Sequence, residues 1–274
     1  MRTVGLCLLL LGLVGLASPA PAQLTSPTPA EWSSLTAPLD SAASTAPSRR
    51  AAPADAALHH VVGRKATLYN RSDSTAPVGT LPARTPLHRL GCSGTWCRVR
   101  TDAGRVGYVP AAAISDVWIR VSKAERRLYL YRGPRLVDVY NIDIGYNTFA
   151  DKARRGSQAR RDHWRTPEGT FYVVDKNPQS QFYKALVLNY PTSADAERGL
   201  EQGLISRSEH DAIVQAQEQF RMPPMNTDLG GWIEIHGEGT GAATNWTQGC
   251  VAVENRVMNQ LWTRVAVGTP VLIE

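Results

Sequence analysis

His236 and Cys250 lie fourteen residues apart, and their side chains could together carry out a thiol-dependent acyl transfer. A thiol attacks a carbonyl only as thiolate, and a free cysteine ionises near pH 8.5, so a base or positive dipole must lie close by. Imidazole is the side chain best matched to that task near neutral pH. Cys250 stands in the run Thr247-Gln248-Gly249-Cys250-Val251-Ala252-Val253. Gly249 would leave room for a substrate backbone to approach the sulfur. The backbone N–H groups of Gly249 and Cys250 could stabilise the oxyanion of a tetrahedral intermediate. The same residue types also serve plain packing: a cysteine beside Gly and Val can be a small core side chain, and a strand-ending histidine can be structural. The loop Gly237-Glu238-Gly239-Thr240-Gly241 is not a phosphate loop, because no Lys-Ser/Thr pair and no helix start follow it.

Bringing the two side chains together requires a strand, a returning loop and a second element. Trp232-Ile233-Glu234-Ile235-His236 alternates as a half-buried strand, with Ile233 and Ile235 on one face and Trp232, Glu234 and His236 on the other. Gly237 ends it, and a polar loop runs through Gly239, Gly241 and Asn245 towards Cys250. Upstream, Val117 to Val121, Leu128 to Tyr131, Leu136 to Ile144, Phe171 to Val174 and Leu186 to Leu188 read as strands, and Gly133-Pro134 turns one hairpin. From Ala194 to Phe220 the pattern becomes helical, with Leu204, Ile205, Ile213, Val214 and Phe220 among charged and amide residues, and Pro223 and Pro224 close it. This insertion could be a lid over a cleft or plain cover for the sheet. The expected class is mainly β, of the α+β kind, over residues 117–274.

The motifs Ile235-His236-Gly237 and Thr247-Gln248-Gly249-Cys250-Val251 resemble the signature of the YkuD-type L,D-transpeptidases, a His-Gly followed after a spacer by Ser/Thr-x-Gly-Cys-Ile/Val. Gly145-Tyr146-Asn147, Asp151-Lys152 and Arg165-Thr166-Pro167-Glu168-Gly169-Thr170-Phe171 resemble that family's second landmark. Members usually have His where this chain has Gln248 and Arg where it has Ala252. The run from Gly249 to Asn255, the Asp-Lys to Gly169 block and Leu188-Asn189-Tyr190-Pro191 look more like the YafK-like branch, which includes murein peptidases. The resemblance implies a peptidoglycan stem-peptide substrate with a diaminopimelate or similar L-centre beside a D-residue. It implies a Cys250 thioester, His236 as proton acceptor and the Gly237 carbonyl as orienter of the imidazole. An amine would resolve the thioester in transpeptidation, and water in carboxypeptidase or endopeptidase action. Tyr190, Arg165, Trp246 and Thr247 are candidate substrate contacts. No metal and no organic cofactor are implied. The reading from another class is a non-catalytic wall-binding protein.

The first half of the chain says where this chemistry would take place. Of 274 residues 43% are apolar and 20% charged, with 18 prolines and a net charge of +6. The pI near 9.3 suits a polyanionic surface. No nucleic-acid-binding motif spacing appears. Arg2, the apolar run Leu6 to Leu16 and Ala20-Pro21-Ala22 read as a signal peptide over 1–22, directing the chain to periplasm or cell wall with no stable membrane insertion. Residues 23–60, rich in Pro, Ala and Ser, read as a flexible tether. Residues 61–116 read as short strands at Leu68-Tyr69, Val78 to Leu81, Leu87 to Leu90, Trp96 to Arg100 and Val106 to Val109. Trp96-Cys97-Arg98-Val99-Arg100 followed by Gly107-Tyr108-Val109 resembles bacterial SH3-like modules, which implies a small five-stranded barrel serving as a wall-targeting module or a spacer. Cys92 and Cys97 are spaced for a disulfide across a tight turn in an oxidising compartment; half of a zinc site is the weaker reading, since no second ligand pair follows. Cys7 would leave with the signal peptide, and Cys250 is then the odd thiol.

Overall fold

Seven short strands open the computed structural model, which describes residues 57–274. They are β1 (Ala57–Val61), β2 (Lys65–Tyr69), β3 (Pro77–Pro82), β4 (Pro86–Ser93), β5 (Trp96–Thr101), β6 (Val106–Pro110) and β7 (Ile114–Ser115). They form one antiparallel sheet in the order β3-β2-β6-β5-β4-β1-β7. Alternate residues of these strands, among them Val61, Leu68, Leu87, Val99 and Val109, make its core. Five strands match the expected ones; β1 and β7 are additional. β1 begins inside the segment read as tether, so residues 57–60 belong to the sheet. Its pattern is inverted, with Leu58 exposed and His59 buried, which hides it from any apolar-alternation reading. Cys92 and Cys97 sit opposite each other in the β4–β5 ladder and are joined as a disulfide. The signal-peptide segment 1–22 and the tether over 23–56 lie outside the described residues.

The second region holds β8 (Val117–Ser122), β9 (Arg127–Arg132), β10 (Arg135–Asn141), β11 (Ile144–Gly145), β12 (Gly169–Asn177) and β13 (Ala185–Leu188). Then come α1 (Ser193–Glu201), α2 (Arg207–Glu218), β14 (Glu234–His236), β15 (Asn245–Thr247), β16 (Val251–Ala252), α3 (Asn255–Arg264) and β17 (Pro270–Ile273). Eight strands form a mixed sheet in the order β10-β9-β8-β17-β12-β13-β14-β16, and β11 pairs separately with β15. One apolar cluster runs through it, from Ile119 and Leu128 to Ile235 and Val251, and α3 adds Val257, Met258 and Leu261. Burial of this continuous cluster is the main force holding the sheet.

The two insertion helices start where their sequences cap. The Thr192 hydroxyl accepts from the Asp195 N–H while Asp195 reaches back, and Ser206 and Glu209 repeat the arrangement. Together they bury a small cluster of their own, Ala196, Ile205, Ile213 and Leu229. The two β-rich regions touch where the Gly63 N–H donates to the Val267 carbonyl at 2.8 Å and the Arg84 guanidinium lies 4.7 Å from the centre of the Tyr172 ring. Among the described residues no helix is long and apolar enough to cross a membrane.

Candidate active site

β14 and β16 run parallel, with Ile235 opposite Val251 and His236 opposite Ala252. One step back in that register sets Cys250 beside Glu234. Parallel neighbours need a crossover of about a dozen residues or more, and here residues 237–250 provide it. The crossover is tied down by Asp143, which is fully buried between β10 and β11. Its backbone bridges Ala252 in both directions, at 2.9 and 2.8 Å. Its carboxylate accepts from the Thr240 N–H (2.6 Å), the Thr240 hydroxyl (2.9 Å), the Thr244 N–H (2.9 Å) and the Trp246 indole N–H (2.9 Å). Burial alone would raise its pKa, but these donors outweigh burial and hold it below the usual carboxylate value.

The result is a cleft of about 490 Å³ whose lining includes Cys250, His236, Glu234, Lys152, Phe182 and Trp246. His236 is buried, with Phe182 stacked on it at 4.4 Å and Trp246 edge-on at 6.2 Å. Its Nδ1 lies 2.6 Å from the Gly237 carbonyl. A carbonyl can only accept, so Nδ1 carries the hydrogen and Nε2 is bare. Burial lowers the imidazole pKa against the opposing pull of that hydrogen bond and of Asp143, which favours the neutral form. Gly237 itself permits close packing: a Cβ there would collide with the Asn255 side chain and lie 2.9 Å from the Phe182 carbonyl.

Cys250 is half-buried, and its thiol donates to the Trp232 carbonyl at 3.3 Å. Burial first, then the Glu234 carboxylate, push it up to about 12, against the Glu234 N–H and the Lys152 ammonium, which favour thiolate. The resting group is therefore a thiol. Among the described residues no hydrogen bond joins it to His236.

Several expected site residues are placed differently. Tyr190 is fully buried and donates to the Leu229 carbonyl at 3.0 Å; it is a core residue, not a substrate contact. The Arg165 guanidinium is held by the carbonyls of Asp162 (2.6 Å) and Asp151 (3.4 Å) and does not line the cleft. Thr247 lines the cleft but is 3% exposed, and its hydroxyl braces the turn by donating to the Cys250 carbonyl and accepting from the Gly249 N–H. That bond at 3.2 Å occupies the Gly249 N–H, so of the two expected oxyanion donors only the Cys250 N–H lacks an acceptor among the described residues. Gly249 is needed for a different approach: at φ +133°, a Cβ there would lie 2.5 Å from the Arg165 carbonyl. Trp246 does line the cleft. No residue of α1 or α2 reaches it, so the helical insertion is cover and not a lid.

Three polar residues of the site escaped the sequence reading. Glu234 was placed on the His236 face without a role, and Lys152 appeared only as part of a landmark. Asp143 carried one unread signal, a charged residue between Ile142 and Ile144. Among the described residues no three His, Cys, Asp or Glu side chains are grouped as metal ligands.

Residues 116–273 match the L,D-transpeptidase catalytic domain model, YkuD, and residues 70–115 match a bacterial SH3 domain. The chain is 32% identical over 90 residues to the putative L,D-transpeptidase YafK of Escherichia coli K12, a stretch that is 32% of this chain and 35% of YafK. It thus spans about a third of that relative's length. Among solved structures, Bdellovibrio bacteriovorus Bd1075 is 22% identical, with 58% of this chain and 47% of that one covered at a TM-score of 0.37. An L,D-transpeptidase from Xylanimonas cellulosilytica is 18% identical, with 58% and 61% covered at a TM-score of 0.36. With its catalytic-domain match spanning more than half of its length, this chain belongs to the YkuD L,D-transpeptidase family and carries a bacterial SH3 domain ahead of the catalytic one.

Proposed function

We propose that the chain is an exported enzyme that breaks and remakes acyl bonds in peptidoglycan stem peptides through a thioester on Cys250. The observation that carries this reading is that His236, with its Nδ1 held by the Gly237 carbonyl, lines the same cleft as Cys250. His236 takes the thiol proton as sulfur adds to the carbonyl at the L-centre of the stem. The Cys250 N–H receives the developing oxyanion. Collapse expels the amine of the D-residue, which takes the proton back from His236, and a thioester remains. An acceptor amine then loses its proton to His236, attacks the thioester and restores the thiol. Water in place of the amine would make the same site a carboxypeptidase or endopeptidase. Gly237 holds the imidazole through its carbonyl, as the third member of a triad does.

Incubation with purified muropeptides tests this. Cys250→Ala should lower turnover on the order of 10³-fold or more while leaving the fold intact. New cross-linked or exchanged species identify a transferase, and only shortened species identify a hydrolase. Sacculus binding without any turnover would leave the wall-binding reading standing instead. The acid limb of kcat/KM should report His236: activity is lost as pH falls through an imidazole value below 6.5, because the base must be neutral. A limb well above 6.5 would remove His236 from that role.

A further inference from the structure

Among the described residues two lysines are buried, Lys123 and Lys152, and Lys176 is half-buried; Lys123 and Lys176 are closely accommodated. Lys123, 4% exposed, donates to the carbonyls of Ala150 and Thr166 at 3.0 Å and to Glu168 at 2.7 Å. Lys176 donates to the carbonyls of Trp262 and Val265 at 2.7 and 2.8 Å. Lys152 is different. It is 3% exposed, yet its nearest acceptors are the carbonyls of His163 at 3.4 Å and Gln248 at 3.5 Å, both at the limit of a hydrogen bond, and among the described residues it makes no ion pair. The end of its stem packs against Gly230, where an added Cβ would lie 3.1 Å from Lys152 Cε. Neighbouring Arg155, held by the carbonyls of Thr227 (3.0 Å) and Met225 (3.4 Å), is itself a cation and works against the ammonium.

Glu234 mirrors it. The residue is 8% exposed, and its carboxyl has no hydrogen-bond or ion-pair partner among the described residues. Both side chains line the cleft, and both act electrostatically on the Cys250 thiol between them. A largely buried charge with so little to pair with is costly, and such groups cluster at functional sites. Burial moves each towards neutrality, Lys152 down to about 8 and Glu234 up to about 7, so either is readily charged by an incoming opposite charge.

We propose that the cleft floor reads a zwitterion: Lys152 pairs with a carboxylate and Glu234 with an ammonium of the substrate segment next to the scissile carbonyl. This rests on the peptidoglycan reading above and narrows it. The chemistry selected is an amino-acid head with both groups free, such as the side-chain end of a diaminopimelate residue, over a head that is amidated or acylated. Two charge-assisted hydrogen bonds formed away from water would give both affinity and orientation.

The test uses three stem peptides that differ only at that head: free, amidated at the carboxylate, and N-acetylated at the amine. Binding is measured by calorimetry on the Cys250→Ala protein, alone and with Lys152→Met or Glu234→Gln added; turnover is measured separately on the chain with Cys250 intact. Blocking either group should weaken binding about 10- to 100-fold. Lys152→Met should erase only the penalty for amidation, and Glu234→Gln only the penalty for acetylation. If a variant weakens all three peptides equally, or if the three bind alike before mutation, the inference is overturned. If Glu234→Gln fails to fold, Glu234→Asp takes its place: retained preference for the free amine supports the proposal, and its loss together with the carboxylate preference overturns it. Discrimination without turnover would sink the enzymatic reading and spare this one, and turnover without discrimination would do the reverse.

Discussion

Asp143 and the pair Lys152 and Glu234 belong to one site and treat buried charge in opposite ways. Asp143, in the knot that ties the crossover, accepts four hydrogen bonds and has no free capacity. Lys152 and Glu234 are nearly as buried and hold almost nothing. A satisfied buried carboxylate rigidifies its surroundings, and an unsatisfied one waits for a partner. The difference separates architecture from recognition within a single site.

Removing the knot should produce the largest effect. Asp143→Ala leaves three backbone or hydroxyl donors and one indole N–H unpaired, and should cost on the order of 3–5 kcal/mol in denaturant unfolding. It should also lower activity by freeing Trp246 and the crossover. A loss below about 1 kcal/mol would place Asp143 among ordinary surface carboxylates. Because its folded pKa is depressed, its contribution is fully present above pH 3.8 and is lost as pH falls through its lower folded value.

Glu234 has the reverse sign. Its carboxyl is raised from 4.5 to about 7, so the folded chain holds that proton more tightly than the unfolded one. Stability should fall as pH rises from 4.5 to 7, by at most about 3 kcal/mol. Glu234→Gln should flatten that interval and stabilise the protein at pH 8. An unchanged pH–stability curve would show that the carboxyl has a partner after all. Lys152→Met should act in the same direction, a gain of at most about 3 kcal/mol near neutral pH, less whatever packing the Lys152 stem supplies. That gain should fade between pH 8 and 10.5, where the native amine is already neutral in the fold and then loses its proton in the unfolded chain. Destabilisation by Lys152→Met would group Lys152 with Lys123.

Local patterns made much of this legible. Alternation located most strands on both sides of the sheet, and His-Gly with Gly-Cys identified the pair that shares the cleft. What was missed depends on distance along the chain. Asp143 and Thr240 are 97 residues apart, and no spacing rule links them. Lys152 stands in a polar, arginine-rich stretch that reads as surface. Tyr190 read as a contact because its neighbourhood resembled a motif, yet the fold turns its ring into the core. β1 was lost to the tether because its leucine points out and its histidine in.

The parallel pairing of β14 with β16 has one more consequence. The ladder between the two strands sets His236 opposite Ala252 and brings Cys250 to the end of β16, while Asp143 fixes the connection between them at Thr240, Thr244 and Trp246. The Gln248 side chain takes part in none of these bonds, so its exchange should leave His236 and Cys250 where they are.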